Sequence, residues 1–312
     1  MEGGDGRFVV IGGEELCRRV RSPIHWVGGK GNFVSRLLRF IPEHRVYVEV
    51  FGGGASLLFA KERSPVEVYN DIDEGLVNFF RVLRDPEKFG RFYGKVVLTP
   101  YSRVEYNYCK QTWRECEDEV ERAYRWFVVA RQCFGGHFGA GWGFSINNGK
   151  RRVVSVIGQW LSVLEMLPIF HERFMHVLVE CMDFRKIIPT YDTEETLFYC
   201  DPPYVLTTRR CKLYAYEMSE DDHRELVDLL LKVKGMVMLS GHASDIYKKL
   251  EDSGWVRKDF DRASNVIGRT RKTGILGVGS VKEKAPRVES VWLNTKLVER
   301  LNKSQKLLEV EL

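Results

Sequence analysis

The sequence predicts an α/β protein, an open sheet whose strands alternate with helices, interrupted by one inserted, mainly helical subdomain. Three observations carry that prediction. Apolar runs of strand length alternate with helix-period patterns along most of the 312 residues. Several of those runs stop on glycines, carboxylates or prolines, at the strand ends where open α/β sheets bind ligands. The alternation breaks near Asp85 and returns at Met175, which assigns 1–84 and 175–312 to the core domain and 85–174 to the insert.

Composition bounds the rest. A hydrophobic fraction of 44% is ample for a core, and 29% charged residues is ordinary for a water-exposed surface. No apolar run approaches the roughly 20 residues of a membrane span. The start, MEGGDGRFVVIGGEELCRR, lacks the order of basic, apolar and small residues that makes a signal peptide. Seven scattered cysteines contain no C-x-x-C pair, which argues against a zinc site or a disulfide framework and fits a reducing cytoplasm. His137 and His242 have no carboxylate or cysteine at metal-ligand spacing, so no metal is expected. The net charge of +5 leans toward a polyanionic partner.

Residues 1–22 read as a short strand at Phe8–Ile11 with a short helix, or as an arm. A glycine loop at 28–31 then opens a helix, because Phe33, Leu37, Leu38 and Ile41 fall on one face. Val46 to Phe51 is a strand, followed directly by Gly52-Gly53-Gly54-Ala55-Ser56 and a helix from Leu57. Strand, glycine turn, helix is the entry to a nucleotide or nucleoside site, although the spacing is not the G-x-G-x-x-G of dinucleotide binders. The next strand, Val66 to Asn70, ends at Asp71, about where an acid would accept hydrogen bonds from ribose hydroxyls. A tight turn followed by a helix-capping aspartate would read the same way.

Within the insert, helical patterns cover Val120–Cys133 and Ser155–Leu167, and the acidic run 115–119 suits a helix amino end. Arg131 to Arg152 holds Arg131, Lys150, Arg151 and Arg152 without an acidic residue, among glycines and the rings Phe134, Phe138, Trp142 and Phe144. Basic side chains reach phosphates and rings reach bases, so this stretch is a candidate nucleic-acid contact. A surface loop with an aromatic cluster has the same composition. Strands follow at Met175–Cys181, Leu197–Cys200, Met236–Ser240, Trp255–Phe260 and Ser290–Leu293, with helices at Glu220–Lys232 and Ser244–Leu250. Arg262 to Val281, with Arg269 and Arg271 and no acid after Arg262, reads as a basic hairpin and a second phosphate contact.

The sharpest feature is Asp201-Pro202-Pro203-Tyr204 at the end of an apolar strand. Proline donates no backbone hydrogen bond and forces its predecessor out of the helical region, so the strand must end there on a stiff turn. One carboxylate, carbonyls of a proline turn and one ring suit a planar base bearing an exocyclic amine. Taken alone, the motif also describes an ordinary strand end with a solvated aspartate.

Five motifs occur in order: H-W-V-G-G-K at 25–30, V-E-V-F-G-G-G-A-S at 48–56, Y-N-D-I-D at 69–73, C-M-D-F at 181–184 and C-D-P-P-Y at 200–204. The set resembles the Dam-like, or D12 class, family of N6-adenine DNA methyltransferases, from about Pro23 to the last strand. The resemblance implies a class I methyltransferase fold, a seven-stranded, mostly parallel sheet in which one strand is antiparallel. It implies S-adenosylmethionine as cofactor, double-stranded DNA as partner and a target-recognition domain inserted after the second strand. It leaves room for a cognate restriction endonuclease and for a monomer or weak dimer. Trp26 and Lys30 match the cofactor motif, Phe51, Gly52 and Gly54 the glycine loop, Asp71 the ribose acid, and Asp183 with Phe184 the adenine end. Asp201, Pro202, Pro203 and Tyr204 match the catalytic motif, Asp201 also bordering the cofactor. The insert carries G-G-H-F-G-A-G-W-G-F where relatives usually carry Asn and Arg, so the target sequence does not carry over.

The chemistry fits the motif independently. Asp201 and the Pro202 carbonyl accepting the two amine N–H bonds would localise the nitrogen lone pair, and Tyr204 would stack on a base rotated out of the duplex. The same logic serves cytosine N4 or RNA. A DNA-binding protein without catalysis and an NAD-dependent oxidoreductase are the rivals from other classes, the second disfavoured by the glycine spacing.

Overall fold

The computed structural model describes residues 8–11, 14–17, 22–26, 29–31, 33–145, 154–205, 215–262 and 287–310. At the amino end, β1 (Phe8–Ile11) and β2 (Glu14–Cys17) pair antiparallel. The strand at Phe8 is as expected, whereas the short helix gives way to a second strand. Gly12-Gly13 between them is a dipeptide that suits a two-residue hairpin. Helix α1 (Val34–Leu37) passes into a 3-10 turn at Leu38–Phe40 and ends before its apolar pattern does. Ile41 is extended (φ −100°, ψ 101°), as a residue preceding proline prefers.

The core then alternates as its pattern predicts: β3 (Val46–Glu49), α2 (Ser56–Ala60), β4 (Val66–Asn70) and α3 (Glu74–Arg84). Four helices follow, α4 (Pro86–Val96), α5 (Arg103–Thr112), α6 (Glu119–Gln132) and α7 (Ser155–Phe174). Asp73, Asp85, Ser102 and Asp118 cap α3 to α6 by accepting first-turn N–H groups. Alternation resumes with β5 (Val177–Glu180), α8 (Phe184–Thr190), β6 (Thr196–Cys200), α9 (Glu220–Leu230), β7 (Met236–Gly241) and α10 (Asp245–Asp252). The antiparallel pair β8 (Val256–Arg262) and β9 (Arg287–Leu293) completes the sheet. A last helix, α11 (Thr295–Val310), goes beyond the sequence reading. Its signal was present in Asn294, whose side chain accepts from the Leu297 N–H, and in the buried Leu297.

Seven strands form one sheet in the order β5-β4-β3-β6-β7-β9-β8. All run parallel except β9, which is antiparallel to both neighbours. This is the seven-stranded mixed sheet of the class I methyltransferase fold. The connection from β3 leads outward to β4, and the connection from β6 leads the other way to β7. The crevice between the carboxyl ends of β3 and β6 is therefore the topological switch point, where such sheets bind ligands.

Period-two alternation sends neighbours to opposite faces. Tyr47, Tyr69, Leu197 and Met238 pack on one face beneath α3 and the helices of 85–174, while Val48, Val68, Phe198 and Leu239 pack on the other beneath α8 to α10. The helices of 85–174 join the first face through aromatic contacts. Phe79 of α3 stacks on Trp126 and Phe127 of α6, and Phe174 of α7 stacks on Phe80.

Candidate active site

Strand β6 is buried along its length and stops at Cys200, so Asp201 emerges at the switch point. Its side chain is only partly exposed and is held by protein donors. Lys30 donates to Asp201 Oδ1 at 2.5 Å and to the Tyr204 hydroxyl oxygen at 2.7 Å. The same ammonium stands 3.1 Å from Glu289 Oε1, which also accepts the Tyr204 O–H at 2.6 Å. Ser240, near the end of β7, donates to Asp201 Oδ1 at 3.1 Å and lies 3.2 Å from the Tyr199 hydroxyl. Among the described residues, nothing donates to Asp201 Oδ2.

Lys30 is 3% exposed and Glu289 is fully buried, so among the described residues a buried ammonium is shared by Glu289 and the half-buried Asp201. Burial raises the Asp201 carboxyl above its ordinary range, with Lys30 opposing and Glu289 adding to the rise. Burial also works against the Lys30 charge. Asp201, Tyr199 and Glu289 outweigh it and hold the ammonium above the usual lysine range. The Tyr204 ring meets His242 edge-on, with centroids 4.3 Å apart.

A cavity of about 220 Å³ reaches Lys30, Asp201 and Pro203 at one side. Its floor is the turn after β3. Gly53 and Ala55 both adopt left-handed φ (47° and 53°), which makes the turn tight, and a Cβ on Gly52 would stand 2.2 Å from the Tyr69 ring. Asp71 fixes this turn: its Oδ2 accepts the Gly53 N–H at 2.8 Å and its Oδ1 the Asp73 N–H at 2.9 Å. Burial pushes the Asp71 carboxyl up to about 6. Each carboxylate oxygen has a second lone pair, so Asp71 retains acceptor capacity for a ligand hydroxyl.

Asn70 clamps the ends of three strands. Its amide donates to the Val50 carbonyl at 2.8 Å and the Met182 carbonyl at 3.0 Å, and accepts the Met182 N–H at 2.8 Å. That clamp sets Asp183, which caps α8 and pairs with Arg185 at 3.0 Å. Arg185 also bridges to Asp222 at 2.5 Å and to Glu225. Phe51 and Phe184 face each other with centroids 6.0 Å apart, supplying apolar wall. Glu49, also lining the cavity, is buried and accepts from the Tyr47 hydroxyl at 2.9 Å and the Leu58 N–H at 2.7 Å through one oxygen. Burial raises its carboxyl to about 8. A cavity with Asp71, Asp183 and Asp201 around apolar rings suits a cationic ligand carrying hydroxyls and a flat ring.

The structure thus brings Trp26, Lys30, Phe51, Gly52, Gly54, Asp71, Asp183, Phe184, Asp201 and Pro203 to one cavity. Pro202 is buried beside it and Tyr204 joins through Lys30. Lys30 holds Asp201 as well as lining the cavity. Sequence reasoning missed Ser240, Glu289, Arg185 and the partners of Glu49. A serine and a glutamate closing or opening apolar strands were the available signals.

The recognition candidates lie elsewhere. Phe138 is stacked on Trp126 (5.2 Å) and edge-on to Trp113 (5.7 Å), within the aromatic packing that includes Trp26. Trp142 bridges to Cys133, donates to Gln132 Oε1 at 3.3 Å and lies under Arg103. Arg131 donates to the Gln159 carbonyl at 3.3 Å, its buried Nε has no partner among the described residues, and burial lowers its pKa to about 10. Phe134 and Phe144 are the exposed rings of this loop. Lys150, Arg151, Arg152, Arg269 and Arg271 lie outside the described residues, as does most of the basic hairpin. Among the described residues, no group of acidic, histidine or cysteine side chains is placed to hold a metal ion, and no helix is long and apolar enough to cross a membrane.

Comparison with known proteins agrees with this geometry. The family model described as D12 class N6 adenine-specific DNA methyltransferase matches residues 26–263. A DNA N-6-adenine-methyltransferase of Escherichia phage P1 is 26% identical over 280 residues, covering 83% of this chain and 35% of that protein. The DNA adenine methylase of Vibrio cholerae is 24% identical over 244 residues, covering 75% of this chain and 85% of its own. That of Serratia marcescens is 21% identical over 280 residues, covering 85% and 97%. The chain spans about a third of the phage relative's length and most of the bacterial ones.

Proposed function

The chain belongs to the D12 class of N6 adenine-specific DNA methyltransferases, and we propose that it transfers a methyl group from S-adenosylmethionine to adenine N6 in DNA. The observation that carries this reading is Asp201, presented at the switch point with one oxygen held and the other facing no donor among the described residues, beside a cavity walled by acids and rings. Asp71 would hold the ribose of the cofactor, Asp183 and Phe184 its adenine, and the Phe51–Gly54 turn its methionine part. When bound, the cofactor supplies an electrophilic methyl on a sulfonium.

The chain's own residues do the rest. The adenine amine donates one N–H to Asp201 Oδ2 and the other to the Pro202 carbonyl. Both bonds favour a tetrahedral nitrogen with a localised lone pair. Lys30 and Ser240 hold Oδ1, so Oδ2 keeps its aim. The proton that the methylated nitrogen must lose passes to Asp201 Oδ2 and on to solvent. Tyr204 stacks on the extruded base. Residues 85–174 form the recognition domain, with Lys150, Arg151 and Arg152 toward DNA, and Arg269 and Arg271 on the backbone phosphates. The protein works in the cytoplasm as a monomer or weak dimer.

Incubation with methyl-labelled S-adenosylmethionine and, in parallel, mixed-sequence duplex DNA or RNA, followed by nucleoside analysis, tests this. N6-methyladenine is expected. N4-methylcytosine would overturn the choice of base, label only in RNA the choice of polymer, and absence of cofactor binding the reading of the cavity.

A further inference from the structure

We infer that Glu289 is a positioning residue for methyl transfer, acting on the catalytic loop through Lys30 and Tyr204. The inference rests on the function proposed above and extends it to a strand on the other side of β7. Glu289 lies on β9, 85 residues beyond Tyr204 and beside no sequence motif. Its side chain is fully buried, so its charge must be compensated locally. Its Oε1 stands 3.1 Å from the Lys30 ammonium and accepts the Tyr204 O–H at 2.6 Å. Lys30 closes the ring by donating to Tyr204 and to Asp201 Oδ1.

Each member restrains the next. The Asp201-Pro202-Pro203-Tyr204 turn has no strand partner of its own after Cys200, so its two ends are tied down by side chains. Lys30 fixes the Asp201 end, and Tyr204 fixes the other. Glu289 is the group that binds both restraints to the rigid sheet, since β9 is hydrogen-bonded to β7 and β8 on its two sides. Glu289 also balances the local charge. With Asp201 alone, Lys30 would form a tight neutral pair. The second carboxylate shares the ammonium and leaves Asp201 with more of its acceptor strength for the substrate amine. Glu289 does not line the cavity proposed for the cofactor, and its contacts are with Lys30 and Tyr204, so it acts through them.

The test compares wild type, Glu289→Gln and Glu289→Asp. Steady-state methylation of mixed-sequence duplex DNA gives kcat and KM, calorimetry gives the S-adenosylmethionine Kd, and thermal melting reports folding. Glu289→Gln keeps an acceptor for Tyr204 and removes the charge. It is expected to lower kcat by about 10²-fold, the cost of misplacing a reacting group by an ångström. Cofactor Kd and DNA KM should stay near wild type, and Glu289→Asp should recover part of the loss.

Unchanged kcat in a folded Glu289→Gln protein would overturn the inference and leave the proposed function standing. A joint loss of kcat, cofactor affinity and melting temperature, with Glu289→Asp no better, would also overturn it, because that is how a merely structural residue behaves. Should Glu289→Gln fail to fold, Tyr204→Phe decides. It keeps the ring and removes only the hydroxyl between Glu289 and Lys30, so a kcat loss at unchanged cofactor Kd supports the inference and wild-type kcat overturns it. Wild-type protein that binds cofactor and methylates no adenine would instead refute the function on which the inference rests.

Discussion

Two buried ionic clusters sit at opposite ends of the same sheet, and they differ in stoichiometry. Near the amino end of β4, Glu67 is shared by two cations. Lys61 and Arg173 both reach it, Arg173 at 2.5 and 2.8 Å, and the Ser64 N–H adds a fourth bond at 3.1 Å. Near the carboxyl end, among the described residues, Lys30 is the cation that two carboxylates, Asp201 and Glu289, share. The consequences are opposite. Burial alone would raise both Glu67 and Asp201, yet the cations win at Glu67 and hold it below its ordinary range, whereas Asp201 stays raised. Both oxygens of Glu67 are occupied. Asp201 has one oxygen held and one facing no protein donor among the described residues. A saturated cluster locks the fold, and an electron-rich, half-satisfied one is prepared for a substrate N–H.

The largest expected effect falls on the second cluster. Asp201→Ala should reduce methyl transfer by about 10³-fold or more while leaving the melting temperature close to wild type. Unchanged turnover in a labelled-methyl assay would remove Asp201 from the chemistry. Glu67→Gln should do the reverse. Breaking the saturated cluster strands Lys61 and Arg173 and should cost about 3–5 kcal/mol in urea unfolding, with kcat of the folded protein little changed. Equal damage to stability and turnover would mean that the two clusters are coupled across the sheet.

Asp71 sharpens the contrast on a smaller scale, because it is at once a clamp on the glycine turn and the proposed ribose acceptor. Asp71→Ala should raise the S-adenosylmethionine Kd by roughly ten-fold, about 1.4 kcal/mol, with a lesser effect on kcat. An unaltered Kd in calorimetry would confine Asp71 to the turn.

A last prediction, read in stability alone and not in turnover, concerns the buried carboxyl of Glu49. Its value rises from 4.5 to about 8 because burial disfavours its charge. The folded state therefore holds a proton that the unfolded chain has already lost. Its contribution to stability is fully present below 4.5 and declines as pH rises toward about 8, at up to about 1.4 kcal/mol per pH unit. Urea midpoints at pH 6 and pH 8 should fall in wild type and fall less in Glu49→Gln. An identical fall in both would place the titration on another group.

The sequence alone determined the seven strands of the main sheet in chain order, the glycine turn, the acid after β4 and the proline turn after β6. Those features are local: a run of apolar residues, a missing N–H or a permissive φ acts within a few neighbours, so it can be read along the chain. The same reasoning gave α1 too much length, left residues 1–22 as a strand with a short helix or as an arm, and passed over α8 and α11, where segments take their conformation from pairing and packing. Tertiary structure alone decided what Lys30 is for. The motif assigned it to the cofactor, while the fold brings it from 171 residues away onto Asp201 and adds Glu289 and Ser240 from the neighbouring strands. Tertiary structure likewise folded Phe138 and Trp142 into aromatic packing that composition had read as a surface for bases. The physical reason is the same in both cases. A side chain's charge and shape are written in the sequence, but its partners are set by which strand ends meet at the switch point, and that depends on the whole sheet.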